Sequence, residues 1–225
     1  MFRFTNTHLR PEARDYSFIT VIGNVGAGKS TLTRELSHAL SFDASYERVD
    51  NNPYLTDFYG DQAKWGFHLQ IYFLGQRYKD IVHIQEAARD HIQDRSIYED
   101  VEIFARALHD TGKMADRDFQ TYHDLFHNMV DQLIRPDLAI YLTGGLDTIL
   151  KRIASRGRES EKAVPTAYWA ELHARYERFI SGYTHSPILW VDIDRFDMFK
   201  HPEHLDMLRT EVSRFLSKRE SLAAG

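Results

Sequence analysis

Residues 23–30 read Gly-Asn-Val-Gly-Ala-Gly-Lys-Ser, and Thr31 follows. Glycines ahead of a lysine and a hydroxyl make a loop whose chemistry is phosphate binding. Gly23, Gly26 and Gly28 open backbone conformations closed to other residues. The amide N–H groups of the run, those of Asn24, Val25 and Ala27 included, then turn inward as a nest for phosphate oxygens. A helix starting at Ser30 and Thr31 adds the partial positive charge of its N-terminus. Lys29 sits on the outer phosphates as a point charge, and Ser30 binds Mg²⁺. The ligand class implied is a nucleoside triphosphate with magnesium.

Three further sets of side chains have types suited to moving a phosphoryl group. Glu47 is a carboxylate, able to accept a proton from a hydroxyl nucleophile, and equally able to be a solvated residue at a strand end. Asp94 and Arg95 pair a carboxylate with a guanidinium; the bland alternative is a salt bridge that ends a strand. Arg152 and Arg156 stand one helical turn apart on one face. Gly157 can break that helix, which leaves Arg158 and Glu161 beyond the bend in a mobile flap. Guanidinium groups match the planar, spread charge of a phosphoryl-transfer transition state, although such a face is often only solvated.

The elements that must position these groups are partly visible. The apolar run Phe18-Ile19-Thr20-Val21-Ile22 predicts a buried strand ahead of the glycine loop, and Leu32, Leu36, Ala39 and Leu40 put a helix after it. Further strands are expected at 44–49, 91–96, 138–142 and 188–192. Helical periodicity occupies about 62–88, 98–112, 117–134, 146–156, 166–181 and 202–218. This alternation predicts an α/β fold, a five-stranded parallel sheet covered on both faces by helices. Ligands of such sheets bind beyond the carboxyl ends of the strands. The glycine loop, Glu47 and Asp94-Arg95 all fall at such ends. Residues 1–15 are expected to be a loose arm, and 16–225 one domain.

Bulk properties exclude several classes. The 225 residues carry a net charge of −5 with no strongly basic run, which argues against nucleic acid as the main partner. There is no cysteine, so no disulfide framework and no thiolate metal site. No segment is apolar enough to serve as a signal peptide or to cross a bilayer, so a cytoplasmic protein is expected. His123 and His127, one helical turn apart, suit either a metal or an ordinary helix face.

The glycine loop, Tyr-Glu-x-Val-Asp-x-Asn-Pro from Tyr46, Asp-Arg-Ser-Ile-Tyr-Glu-Asp from Asp94 and the arginine-rich stretch 151–161 occur in the order and spacing of a known family. The chain resembles the deoxyribonucleoside kinases, most of all their bacterial purine-preferring branch, over roughly residues 16–200. One departure is Arg48, where the family often has proline. The resemblance implies a three-layer P-loop kinase fold with an arginine-rich lid at about 152–164. It implies transfer of the γ-phosphoryl group of ATP, with Mg²⁺, to a deoxyribonucleoside 5′-hydroxyl in nucleotide salvage. Glu47 is then the general base, Asp94 helps Ser30 hold Mg²⁺, and Arg95 lies beside the reacting group. Arg152, Arg156 and Arg158 close over the donor phosphates, with Phe196 in the loop around the donor base. Tyr59 and Glu161 take the sugar 3′-hydroxyl, and Gln70, Arg77, Asp100 and Phe104 form the acceptor pocket, with Trp65 and Phe67 as further wall. An Arg77–Asp100 pair favours deoxyadenosine and deoxyguanosine, allows deoxycytidine and disfavours thymidine. The family also implies a homodimer. A related-fold rival, a nucleoside monophosphate kinase, needs extra cations for its acceptor's own phosphate.

Overall fold

The structure, a computed structural model, describes residues 1–9, 14–47, 52–158, 161 and 164–223. Strand β2 (Phe18–Gly23) is buried along its whole length, as the continuous apolar run of a central parallel strand requires. Beside it lie β4 (His91–Asp94) and β5 (Leu138–Thr143), then β3 (Asp43–Ser45) outside β4 and β6 (Ile188–Asp192) outside β5, all parallel. Helices connect these strands: α1 (Lys29–Leu40), α2 (Leu55–Gly60), α3 (Gln62–Ala87), α4 (Ile97–Glu99), α5 (Arg106–Asp110), α6 (Asp116–Val130), α7 (Leu146–Arg156) and α8 (Thr166–Ser181), with α9 (Glu203–Ala223) at the end.

Five parallel strands were expected, and the sheet has six. The added one is β1 (Phe2–Thr5), antiparallel to β6 with Phe2 opposite Val191. The expected loose arm is therefore, in its first residues, an edge strand. Phe4 stacks on Phe215 at 5.2 Å and the Arg3 guanidinium lies 4.3 Å from the Trp190 ring centroid. Apolar contact supplies what four residues of pairing alone do not.

Strand order is β1-β6-β5-β2-β4-β3. From β2 the chain goes to β3 and back to β4 on one side, then crosses to β5 and β6 on the other, so the carboxyl end of β2 is the crevice where such sheets take ligands. Register aligns the relevant ends: Val21 faces Asp94, and Gly23 faces Leu142. The strand expected at 44–49 is shorter, 43–45, and Glu47 lies two residues past its end. Arg48 and Asp50 lie outside the described residues. The helix expected at 98–112 is divided: α4, then a π-helical turn at Asp100–Ala105, then α5. Such wide turns concentrate at functional sites, and this one carries Asp100 and Phe104.

Candidate active site

Gly26 and Gly28 hold φ of 83° and 98°, and α1 starts at Lys29. At Gly26 a Cβ would stand 2.7 Å from Ile153 Cγ1 and 3.1 Å from the Ile149 carbonyl. The loop packs that closely on α7. Gly26→Ala therefore combines left-handed strain with overpacking, about 2–5 kcal/mol. Thermal unfolding without nucleotide is expected to show Tm lowered by about 4–20 °C.

Lys29 is buried, and its Nζ donates to the carbonyls of Gly23 (2.8 Å) and Asn24 (3.1 Å). Burial, then Arg95, pushes its pKa down to about 8 against the opposing pull of Asp94, Glu99 and Glu47. A cation this desolvated is poised for an anionic ligand. Ser30 Oγ donates to Asp94 Oδ2 at 2.5 Å. Asp94 is 1% exposed, and its Oδ1 is buried with no hydrogen-bond partner. A hydroxyl beside a carboxylate oxygen left unpaired is a donor set that fits Mg²⁺.

Arg95 follows β4 in the left-handed region, φ 72°. Its Nε lies 2.8 Å from Glu47 Oε1, its Cζ stands 4.7 Å from the Phe104 ring centroid, and its Nη1 donates to the Tyr176 hydroxyl at 2.6 Å. Burial raises the pKa of the Glu47 carboxyl, but Arg95, Arg77, Lys29 and Arg158 outweigh it, and the net shift is downward. Glu47 is thus held ionised at neutral pH.

Arg77 was expected in the acceptor pocket. It lies behind the cavity wall, where Nε donates to Asp100 Oδ2 at 3.2 Å and Nη1 donates to the carbonyls of Asp94 (2.9 Å) and Arg95 (3.2 Å). Its Nη2 is 3.5 Å from Glu47 Oε1. One guanidinium thus touches four of the expected site residues, Asp100, Asp94, Arg95 and Glu47.

A cavity of about 670 Å³ runs across these ends of the sheet. It is lined by the loop from Val25 to Thr31, by Glu47 and Arg95, by Tyr59, Gln70, Asp100 and Phe104, and by Arg152, Arg156, Arg158, Glu161 and Phe196. Of the expected site residues, Gly23, Asn24, Arg77 and Asp94 support this wall from behind. Trp65 and Phe67 are not part of it; Leu55, Phe58, Leu69, Phe73 and Tyr168 take that place. Trp65 instead packs with Tyr54 and His68.

Arg152 donates to the carbonyls of Ala27 (2.8 Å) and Ile193 (3.3 Å), tying the glycine loop to the segment after β6. That segment is also clamped by Asp194, which accepts from Gly145 N at 2.8 Å and from the Thr148 hydroxyl. Phe196 reaches the cavity by an edge only: it is 5% exposed, and its ring sits against Phe2 and His204. Arg156 donates to Glu161 Oε1 at 2.6 Å, and Arg158 stands 3.8 Å from the same oxygen. Glu161 Oε2 is buried without a partner. Burial, then Glu161 and Glu47, push the Tyr59 hydroxyl up to about 12, so it stays a hydrogen-bond donor.

Two buried groups escaped sequence reasoning. Glu99 is fully enclosed, and Tyr176 from α8 donates to its Oε1 at 2.8 Å. Glu99 was legible in one respect: Ser96-x-x-Glu99 is a capping box, and Glu99 Oε2 accepts from Ser96 N at 2.7 Å. No sequence signal marks Tyr176. On α6, His123 and His127 bring ring nitrogens within 3.1 Å of each other on an exposed face away from the cavity.

The family model for deoxynucleoside kinases matches residues 19–217. A deoxyadenosine/deoxycytidine kinase of Bacillus subtilis is 46% identical over 88% of this chain and 92% of its own length. A deoxyguanosine kinase of Lactobacillus johnsonii is 38% identical over 82% of this chain and 86% of its own. Among solved structures, a deoxyadenosine kinase from M. mycoides with the products dCMP and a flexible dCDP bound superposes with a TM-score of 0.78. It is 31% identical, over 88% of this chain and 99% of that one.

Proposed function

This chain belongs to the deoxynucleoside kinase family, and from that premise we propose that it transfers the γ-phosphoryl group of ATP to the 5′-hydroxyl of a deoxyribonucleoside, deoxyadenosine or deoxyguanosine before deoxycytidine. The observation that carries the reading is a single cavity walled at once by the glycine loop and by the Glu47 carboxylate. A phosphate chain held by the loop amides and Lys29 lies in line with a sugar whose 5′ proton Glu47 removes. Arg95, Arg152, Arg156 and Arg158 offset the charge that develops on the transferred group. Closure of the lid segment excludes water that would otherwise compete as acceptor.

Ser30 and Asp94 would hold the Mg²⁺. The ion supplies neutralisation of charge shared between the outer phosphates. Tyr59 and Glu161 are the pair for the sugar 3′-hydroxyl, with Glu161 released from Arg156 when substrate enters. Salvage of nucleosides is the setting such chemistry serves. We propose that two copies pair through apolar positions of α3 and α6, which light scattering on the purified chain tests. Among the described residues, no helix is long and apolar enough to cross a membrane.

The test is a panel of four deoxynucleosides and dAMP with γ-labelled ATP. Label transferred to deoxyadenosine and deoxyguanosine supports the reading. Label transferred to dAMP in preference to both assigns the chain to monophosphate chemistry instead. ATP hydrolysis indifferent to every nucleoside removes both.

A further inference from the structure

Arg95 is asked to do two things at once: stand beside the reacting group and hold Glu47 ionised. A guanidinium on a flexible stem does neither unless its plane is fixed. Phe104 limits it from one face at 4.7 Å, but a ring face leaves rotation in its plane free. The remaining restraint comes from a helix distant in sequence. Arg95 Nη1 donates to the Tyr176 hydroxyl at 2.6 Å, and that hydroxyl donates onward to Glu99 Oε1 at 2.8 Å. Glu99 Oε1 also lies 3.6 Å from Arg95 Nη1 and 3.5 Å from Gly23 N, where the glycine loop begins. Its other oxygen is taken by Ser96 N.

We propose that Tyr176 and Glu99 are positioning residues for phosphoryl transfer, a buried hydroxyl–carboxylate relay that fixes the Arg95 guanidinium with Nε toward Glu47. The inference rests on the role given to Glu47 and Arg95 above.

Three features support it. Tyr176 and Glu99 are both fully enclosed, so a hydrogen bond between them is not exchanged for water. A buried carboxylate is costly unless it is paired, and here its partners are the tyrosine, two backbone amides and the arginine. The direction of donation also matters. Because the Tyr176 hydroxyl donates its hydrogen bond to Glu99, the hydroxyl oxygen is left with its lone pairs for Arg95, which fixes the polarity of the chain as Arg95 to Tyr176 to Glu99. Burial, outweighing Arg95, keeps the tyrosine protonated, as that polarity needs.

Around Glu47 the charged groups are Arg95 just after β4, Arg77 from α3, Lys29 from α1 and Arg158 from the lid, with Tyr59 and Asp100 on the acceptor side. Of these cations, Arg95 stands at 2.8 Å and Arg77 at 3.5 Å. Loosening Arg95 therefore removes the nearest stabiliser of the Glu47 carboxylate, and the Glu47 pKa rises.

Tyr176→Phe keeps the ring and its packing, and Glu99→Gln keeps the shape and an acceptor while removing the charge. Tyr176→Phe is expected to lower kcat about tenfold with KM for both substrates unchanged, and to move the acid limb of the kcat/KM profile up by about half a unit to one unit. The double variant is expected to be no worse than about twofold below the worse single one, the mark of groups acting as one unit. Three results overturn the proposal. One is Tyr176→Phe turnover within about twofold of wild type. Another is a fall in kcat with the acid limb unmoved, which leaves only a packing role. The third is a double variant that multiplies the two single effects. Wild-type turnover and the Glu47→Gln result, measured alongside, separate failure of the relay from failure of the reading beneath it.

Discussion

Glu47→Gln is expected to lower kcat by about 10²–10⁴ and to leave KM for both substrates within about twofold. A sugar hydroxyl becomes a nucleophile only as its proton departs, and the amide has no basic oxygen to receive it. The substitution keeps size and shape, so substrate binding is retained while the transition state loses its acceptor. The surrounding cations sharpen the expectation. Glu47 sits within 2.8 Å of Arg95 and 3.5 Å of Arg77, and those charges hold its carboxyl below the usual range despite burial. At pH 7 the proposed base is therefore held in its ionised form.

The sign of the pH dependence follows. A depressed carboxyl is ionised above its folded pKa and loses its role as pH falls through that value. The stability gained from the ion pair is likewise present above the unfolded pKa near 4.5 and lost below it. Glu47→Gln removes this acid limb, and raising pH from about 6 to about 8 does not restore its rate. Folding is expected to survive, because Arg95 retains Tyr176 and Glu99, and Arg77 retains Asp100 and two carbonyls. Steady-state rates across pH check the whole set, and turnover close to wild type would move the base to Asp50.

How much of this was legible in the sequence depended on what each residue's environment demands. The glycine loop was readable because positive φ at Gly26 and Gly28 and close approach to α7 admit almost no other residue. The strands β2 and β5 were readable as apolar runs, since both faces are covered. Strand β4, His91-Ile92-Gln93-Asp94, is as buried as β2 yet polar, so periodicity gave only a weak sign of it. Glu47 and Asp94-Arg95 emerged from strand ends, but their aim did not. Arg77 shares a helix face with Gln70, and the family resemblance put both in the pocket. Only the fold shows Arg77 reaching back beneath the ends of the sheet.

What stayed hidden was long-range pairing and short elements. Tyr176 meets Arg95 across 81 residues of chain, and no local pattern encodes such a meeting. The wall residue Phe58 and the proposed sugar contact Tyr59 ride on α2, six residues long, too short for a helical period to declare itself. The residue just ahead of that helix bears on why Trp65 fails as wall. The preceding Tyr54 covers Trp65 at the start of α3, and the cavity begins one turn later, at Leu69, Gln70 and Phe73.

Thymidine is expected to rank last of the four deoxynucleosides in kcat/KM, about 5–150-fold below deoxyadenosine. The end of the cavity proposed for the nucleoside presents two acceptor oxygens. Asp100 lines it with one oxygen fixed by Arg77, and Gln70 Oε1 is buried there without a hydrogen-bond partner. The exocyclic amines of adenine and cytosine, and the N1–H and N2 amine of guanine, satisfy such oxygens. Thymine presents O4 where they present a donor. Two acceptors brought together leave a buried group unpaired, at a cost of about 1–3 kcal/mol. Burial raises the Asp100 pKa against the pull of Arg77, so its protonated form gains population as pH falls. A protonated carboxyl is a donor, and it accepts thymine where the carboxylate rejects it. The gap between deoxyadenosine and thymidine is therefore expected to narrow toward acid pH. It is expected to narrow also in Asp100→Asn, whose amide offers O4 a hydrogen and serves adenine less well. Competition assays with pairs of nucleosides at two pH values read both effects. Thymidine leading at neutral pH, or a gap indifferent to Asp100→Asn, would take the base-reading role away from this carboxylate.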